Sequence, residues 1–199
     1  MKLCKTIALI SSKTFFLIGM LTFSNSNIAE NLKSIVDDFS DPLNNSIGIP
    51  RQFLNDSVAG GKTTTEQTIS NGVIYLKGEI TPPRGQPGWA STILLLEPKG
   101  LPQDASAFEG ISLFIKVNSG NVSLSANSSE VTNFDYHAAL VSVASDGKFH
   151  EVKIPFASMK RGWSEQTQLN TKTISSLSIV AYGLQKTSFD FEVDKISFY

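Results

Sequence analysis

Phe189-Asp-Phe-Glu-Val-Asp-Lys-Ile-Ser-Phe198 alternates apolar and polar residues, the pattern of a strand with one face against a core. The apolar set changes parity between Val193 and Ile196, so a regular strand would turn one half of it to solvent. A β-bulge at Asp194-Lys195 restores a single inward face, and we expect one there. Working outward, Ser176-Leu-Ser-Ile-Val-Ala-Tyr182 has the same composition, and Tyr136 to Ala144 and Phe149 to Phe156 flank Ser145-Asp-Gly147 as two arms of an expected hairpin. Earlier come Val73-Ile-Tyr-Leu76, Ser91 to Leu96, Ile111 to Val117 and Val122-Ser-Leu-Ser-Ala126. Residues 41–72 read as a loop-rich stretch. Short strands without a sustained helical period predict an all-β chain folded as an antiparallel β-sandwich.

Composition narrows the function. The chain has 199 residues, 17 Lys+Arg against 18 Asp+Glu, and a net charge of −1. That is one domain with a sizeable core, too apolar for disorder and too evenly charged for a nucleic-acid partner, which would need clustered cations. The single cysteine, Cys4, leaves no disulfide framework or zinc ribbon, and two histidines supply little acid–base chemistry. A non-enzymatic domain is the expectation.

Residues 1–26 read as a secretory signal peptide. Lys2, Lys5 and Lys13 precede the apolar run Thr14 to Phe23, and no acid occurs before Ser26. That run is shorter than the roughly 18–20 residues that span a bilayer. Small residues place cleavage after Ser26, with Ala29 as the alternative. Residues 27–34 form a short linker, and 35–199 the domain, which contains no transmembrane segment. Export to the periplasm or the extracellular space follows.

Several chemistries are testable on paper. Gly60-Gly61-Lys62-Thr63 lacks the earlier glycine of a phosphate loop, since Asp56 stands there. His137 and His150 sit in alternating segments with no nucleophile elbow nearby. Calcium is the one cofactor the residues suggest. Pairing of the first and last strands would bring Asp37 and Asp38 to Asp194, and calcium takes about six to eight oxygen ligands. Trp89, Phe134, Tyr136, Trp163 and Tyr182 are either core residues or a flat platform for sugar rings.

The order of motifs resembles the complex I intermediate-associated protein 30 (CIA30) family. The resemblance rests on Val36-Asp-Asp-Phe39, Asn55-Asp-Ser-Val-Ala-Gly-Gly-Lys-Thr63, Gly88-Trp-Ala-Ser-Thr92 and Phe108-Glu-Gly-Ile-Ser-Leu113. Val152-Lys-Ile-Pro-Phe156, Lys160-Arg-Gly162 and Phe191-Glu-Val-Asp-Lys-Ile196 complete it. The family's Tyr-containing strand is replaced here by Val122 to Ala126. The resemblance implies a galactose-binding-like jelly roll and a binding module that runs no reaction. A protein partner in the assembly of a membrane-associated complex is the expected ligand, and an exported glycan the alternative. Asp56, Gly60, Gly61, Lys62, Trp89, Arg161 and Trp163 form the expected recognition surface. Arg161 would give a bidentate contact to a carboxylate, and Trp163 a large anchor.

Overall fold

The computed structural model describes residues 32–199. The expected signal peptide, its cleavage sites and Cys4 lie outside the described residues. Strands β1 (Ile35–Asp37), β2 (Gln52–Asn55), β3 (Thr64–Ser70), β4 (Val73–Ile80) and β5 (Gly88–Leu95) come first. They are followed by β6 (Gly110–Ser119), β7 (Asn121–Ser128), β8 (His137–Val141), β9 (His150–Pro155), β10 (Ile174–Gly183) and β11 (Thr187–Phe198). One sheet runs β3-β4-β11-β6-β9, with β1 also on β11, and the other runs β2-β5-β10-β7-β8. Every pairing is antiparallel. This is the expected sandwich.

Alternation explains how the layers close. Ile74 and Leu76 of β4, Ile111, Leu113 and Ile115 of β6 and Phe189, Phe191 and Val193 of β11 bury one face of the first sheet. Leu124 and Ala126 of β7 with Leu177, Ile179 and Ala181 of β10 bury the facing side of the second. The expected bulge is present. Along β6, Ile115 faces Val193 and the next residue, Phe114, faces Lys195, so Asp194 is the extra residue. The insertion puts Ile196 and Phe198 back into the core, as the parity of the apolar residues requires.

Two expectations are corrected. Ser145-Asp-Gly147 does not join a hairpin, because β8 and β9 belong to different sheets and the turn carries the chain between them. Turn chemistry alone does not distinguish a hairpin from a crossing. The sharp hairpin is instead β3–β4, closed by Asn71 and Gly72 at φ 54° and 74°, the mirror-image turn that matches strand twist. It lies inside the stretch expected to be loop. Thr64–Ser70 is an edge strand with only Ile69 as a large apolar residue, so its sequence carries almost no hydrophobic signal.

The first strand is locked by a buried ion pair. Arg51 donates from Nε to Asp37 Oδ2 at 2.6 Å and from Nη2 to Asp37 Oδ1 at 2.8 Å. Its guanidinium lies 5.1 Å from the centre of the Phe39 ring, and the Phe39 N–H donates to Asp37 Oδ1. Burial pushes the Asp37 carboxyl above its ordinary value, against the pull of Arg51. Removing one partner leaves the other charge buried alone. Arg51→Met should therefore cost about 3–5 kcal/mol in urea denaturation, and the double variant with Asp37→Asn should recover part of that loss. Equal stability of Arg51→Met and wild type would contradict this role.

Candidate functional site

The outer face of the five-stranded sheet is built from the residues that alternate with its core. In β10, Ser176, Ser178, Val180 and Tyr182 point away from Leu177, Ile179 and Ala181. The ladders set Trp89 of β5 beside Tyr182, then Ser91 and Ser123 on either side of Val180, then Ile93 and Ser125 beside Ser178. Leu95 and Asn127 flank Ser176 in the last row. Six residues of extended chain separate Tyr182 from Ser176, a span of roughly 20 Å. Asn127 Nδ2 donates to Ser176 Oγ at 2.9 Å and to Ser178 Oγ at 2.7 Å, and Ser125 Oγ donates to Asn127 Oδ1 at 3.1 Å. Small, mutually bonded polar groups thus form a floor in which Ser125, Asn127, Ser176 and Ser178 are buried, with Trp89 and Tyr182 half-buried at one end.

A second aromatic group stands beyond the opposite end, where β7 turns into β8. Phe134 is 77% exposed and its ring meets that of Tyr136 edge-on at 6.4 Å. Trp163 is 73% exposed. Between Phe134 and Tyr136 lies Asp135, a buried carboxylate that receives three consecutive backbone N–H groups. Gly162 donates to Oδ1 at 2.7 Å, and Trp163 and Ser164 donate to Oδ2 at 3.0 and 2.6 Å. Burial acts to raise this carboxyl, but the Ser164 hydroxyl and these backbone donors outweigh it and hold it below the ordinary carboxylate value. Phe134 adopts φ 62°, a left-handed conformation costly for a bulky side chain. Lys160 exchanges both backbone hydrogen bonds with Ala138, tying residues 160–164 to the edge of β8. Phe134 and Trp163 are exposed, and Tyr136 is half-buried.

Arg161 does not reach outward as a carboxylate clamp. It donates from Nε to the Asp135 carbonyl at 3.1 Å and from Nη2 to Asn133 Oδ1 at 2.9 Å. It braces the loop that carries Trp163. The 56–63 loop is likewise organised from inside. Asp56 is buried and accepts from the Thr63 N–H at 3.0 Å, the Thr63 hydroxyl at 2.6 Å and the Trp89 N–H at 3.2 Å. A Cβ on Gly61 would stand 2.2 Å from Asp56 Cγ, so this glycine makes room for the carboxylate. Gly60 closes the preceding 3-10 turn, Asp56–Ala59, at φ 86°. Lys62 is exposed, and its N–H donates to the Thr81 carbonyl at 3.0 Å. This loop and Trp89 are neighbours through Asp56, whereas Arg161 and Trp163 lie across the sheet beyond β8. The expected surface is two surfaces.

The first and last strands do pair, with Asp37 opposite Ile196, yet the proposed calcium ligands take other partners. Asp37 is held by Arg51. Asp38 accepts from the Ser40 and Ser46 hydroxyls at 2.6 and 3.0 Å, and Asp194 occupies the bulge. Among the described residues no group of three or more His, Cys, Asp and Glu side chains stands together as a metal site. His137 is buried with Nε2 at 2.8 Å from the Thr167 carbonyl, and His150 pairs with Asp146 four residues away. Asp190 takes Asn118, and Glu192 takes Lys116. Two features escaped the sequence reading. Asp135 gives no local signal beyond standing between two aromatics, while the serines that alternate through 123–125 and 176–178 could have marked the floor.

No helix among the described residues is long and apolar enough to cross a membrane. A search of the curated proteins returned no match. Among solved structures, the chain is similar to the family 11 carbohydrate-binding module of cellulosomal cellulase Lic26A-Cel5E from Clostridium thermocellum. The TM-score is 0.58 at 20% identity, covering 85% of this chain and 95% of that one. The same module in complex with a β-1,3-1,4-mixed-linked tetrasaccharide matches with a TM-score of 0.57 at 20% identity, over 85% and 96% of the two chains. An agarase, AgWH50C, matches with a TM-score of 0.56 at 10% identity, over 82% of this chain but 24% of the agarase. These likenesses establish the jelly-roll fold. The family model of complex I intermediate-associated protein 30 matches residues 49–193, and the chain belongs to that family.

Proposed function

We propose that this chain is a non-catalytic binding module that holds an extended carbohydrate along the outer face of its five-stranded sheet. The observation that carries this reading is the composition of that face. A floor of serines and Asn127 runs away from the ladder partners Trp89 and Tyr182, with Tyr136, Phe134 and Trp163 beyond the far end. Aromatic rings pack on the apolar faces of sugars, the short floor side chains leave room beside them, and the half-buried hydroxyls of Ser91 and Ser123 offer hydrogen bonds. The jelly-roll neighbours include a module bound to a tetrasaccharide, which supports the reading by analogy of fold. The internal engagement of Arg161 weighs against its expected role on a partner's carboxylate. Export, expected from the amino terminus, would bring the face to extracellular or envelope glycans.

The protein-partner reading retains one specific support. Phe134 and Trp163 are exposed, and the backbone that carries Trp163 is tied to Asp135, the residue after Phe134. Rigid exposed aromatics are common anchors of protein interfaces. The two readings separate by residue. If glycan binding runs along the sheet, Trp89→Ala and Tyr182→Ala should each weaken binding to soluble mixed-linked β-glucan by about tenfold or more in calorimetric titration. Absence of binding to any polysaccharide tested, with a co-purifying protein lost in Trp163→Ala but kept in Trp89→Ala, would replace this reading with the protein partner.

Asp135 makes the far-end aromatics pH-dependent. A carboxyl depressed in the folded state contributes stability that is complete above its unfolded value, about 3.9, and disappears as pH falls through the folded value. Trp163 fluorescence should therefore change on acidification below about pH 4. In Asp135→Asn the altered signal should already be present at neutral pH. A wild-type signal in that variant would show that the carboxylate does not position the loop.

A further inference from the structure

We infer that a second, separate binding site lies between the two sheets, at the open edge where β2 and β3 run, and that it takes a small neutral molecule with an apolar body and one hydroxyl or carbonyl group. The edge holds a cavity of about 330 Å³ that opens between Phe53 of β2 and Thr65 of β3. That volume falls at the lower end of the range for small-ligand pockets. Phe53, Leu76, Phe189 and Phe191 supply apolar wall.

The polar groups give the cavity its chemistry. Thr92, 1% exposed, sits opposite Phe53 on the inner face of the five-stranded sheet, in the row between Ala90 and Leu94. Thr65 sits opposite Gly78 on the inner face of the other sheet. Both threonines line the cavity, and their Oγ1 atoms are buried without a hydrogen-bond partner among the described protein groups. A buried hydroxyl left unpaired loses its hydration without compensation. Valine would pack a strand interior equally well without that cost, so two such hydroxyls facing one cavity from opposite sheets are a recognition feature. No Lys, Arg, Asp or Glu lines the cavity. An ionised ligand would therefore enter without compensation, which selects a neutral one.

The wall explains the entry path. Leu54 and Val58, both largely exposed, stand among the lining residues, on β2 and on the 3-10 turn after it. An incoming ring or short chain meets these side chains first and then passes between the edge strands. Thr92 and Phe53 point to the opposite side of their sheet from Val180 and Tyr182, so the cavity's recognition groups are separate from the outer face, although Ser91 and Leu54 of that face also border the cavity.

A titration of the full chain with p-cresol, toluene and hexanoate, followed by backbone amide NMR, tests the proposal. The expected result is saturable shifts at Phe53, Thr65 and Thr92 with p-cresol, weaker shifts with toluene and none with hexanoate. Thr92→Val and Thr65→Val should each cut p-cresol affinity at least about fivefold, the loss of one hydrogen bond, while leaving toluene unchanged. Thr65 lies on an edge strand, so its variant keeps the test open if Thr92→Val fails to fold. Absence of saturable binding by either neutral probe, equal binding of hexanoate, or an unchanged preference for p-cresol over toluene in both variants would each overturn the site.

Discussion

Backbone N–H groups that leave a sheet inside a sandwich must find acceptors away from water, and this constraint shapes the whole molecule. Nearly every connection here crosses from one sheet to the other, so the problem recurs along the chain. Buried carboxylates solve it. Asp37 receives the N–H of Phe39 as the chain leaves β1, Asp56 receives those of Thr63 and Trp89, and Asp135 receives those of Gly162, Trp163 and Ser164. Only Asp37 is matched by a fully buried cation. Asp56 relies on oriented peptide dipoles and the Thr63 hydroxyl, and Asp135 on oriented peptide dipoles with the part-buried Arg161 guanidinium 3.9 Å away. Asn45 performs the neutral version, capping Ile47 and Ile49 with its oxygen while its nitrogen reaches the Leu95 carbonyl.

This scheme explains what was legible before the structure. Large apolar residues report their own burial, so the strands from β4 onward and the bulge at Asp194 could be read from period and parity. β3 is polar because it lies at an edge, and its periodic signal is weak for the same reason. Turn residues such as Ser145-Asp-Gly147 specify a change of direction and leave open which sheet receives the next strand. That choice depends on partners distant in sequence.

Acidic residues were the hardest to place. Asp37, Asp56 and Asp135 look in sequence like solvated loop acids or metal ligands. Their function depends on N–H groups from segments up to 33 residues away in the case of Asp56 and Trp89. The same is true of Arg161, whose planar donor set suited an external carboxylate but meets Asn133 and the Asp135 carbonyl instead. Aromatic exposure was similarly open, since alternation assigns a face but does not reveal whether another layer covers it. The structure separates Trp163 and Phe134, which stand in solvent, from Trp89 and Tyr182, which are half-buried on a sheet face.

The position of β11 has a consequence for how the chain becomes a protein. It is the last strand of the domain in sequence, yet it lies at the centre of its sheet, with β4 and β1 on one side and β6 on the other. Until it arrives, β4 and β6 expose the edges it will pair, and the phenylalanine side of the core is absent. Such wiring is rich in contacts between distant parts of the sequence, which slows folding. During synthesis the earlier strands must wait, open and adhesive, for the final segment to emerge. A chain wired this way cannot complete its core until Phe189, Phe191 and Val193 are in place.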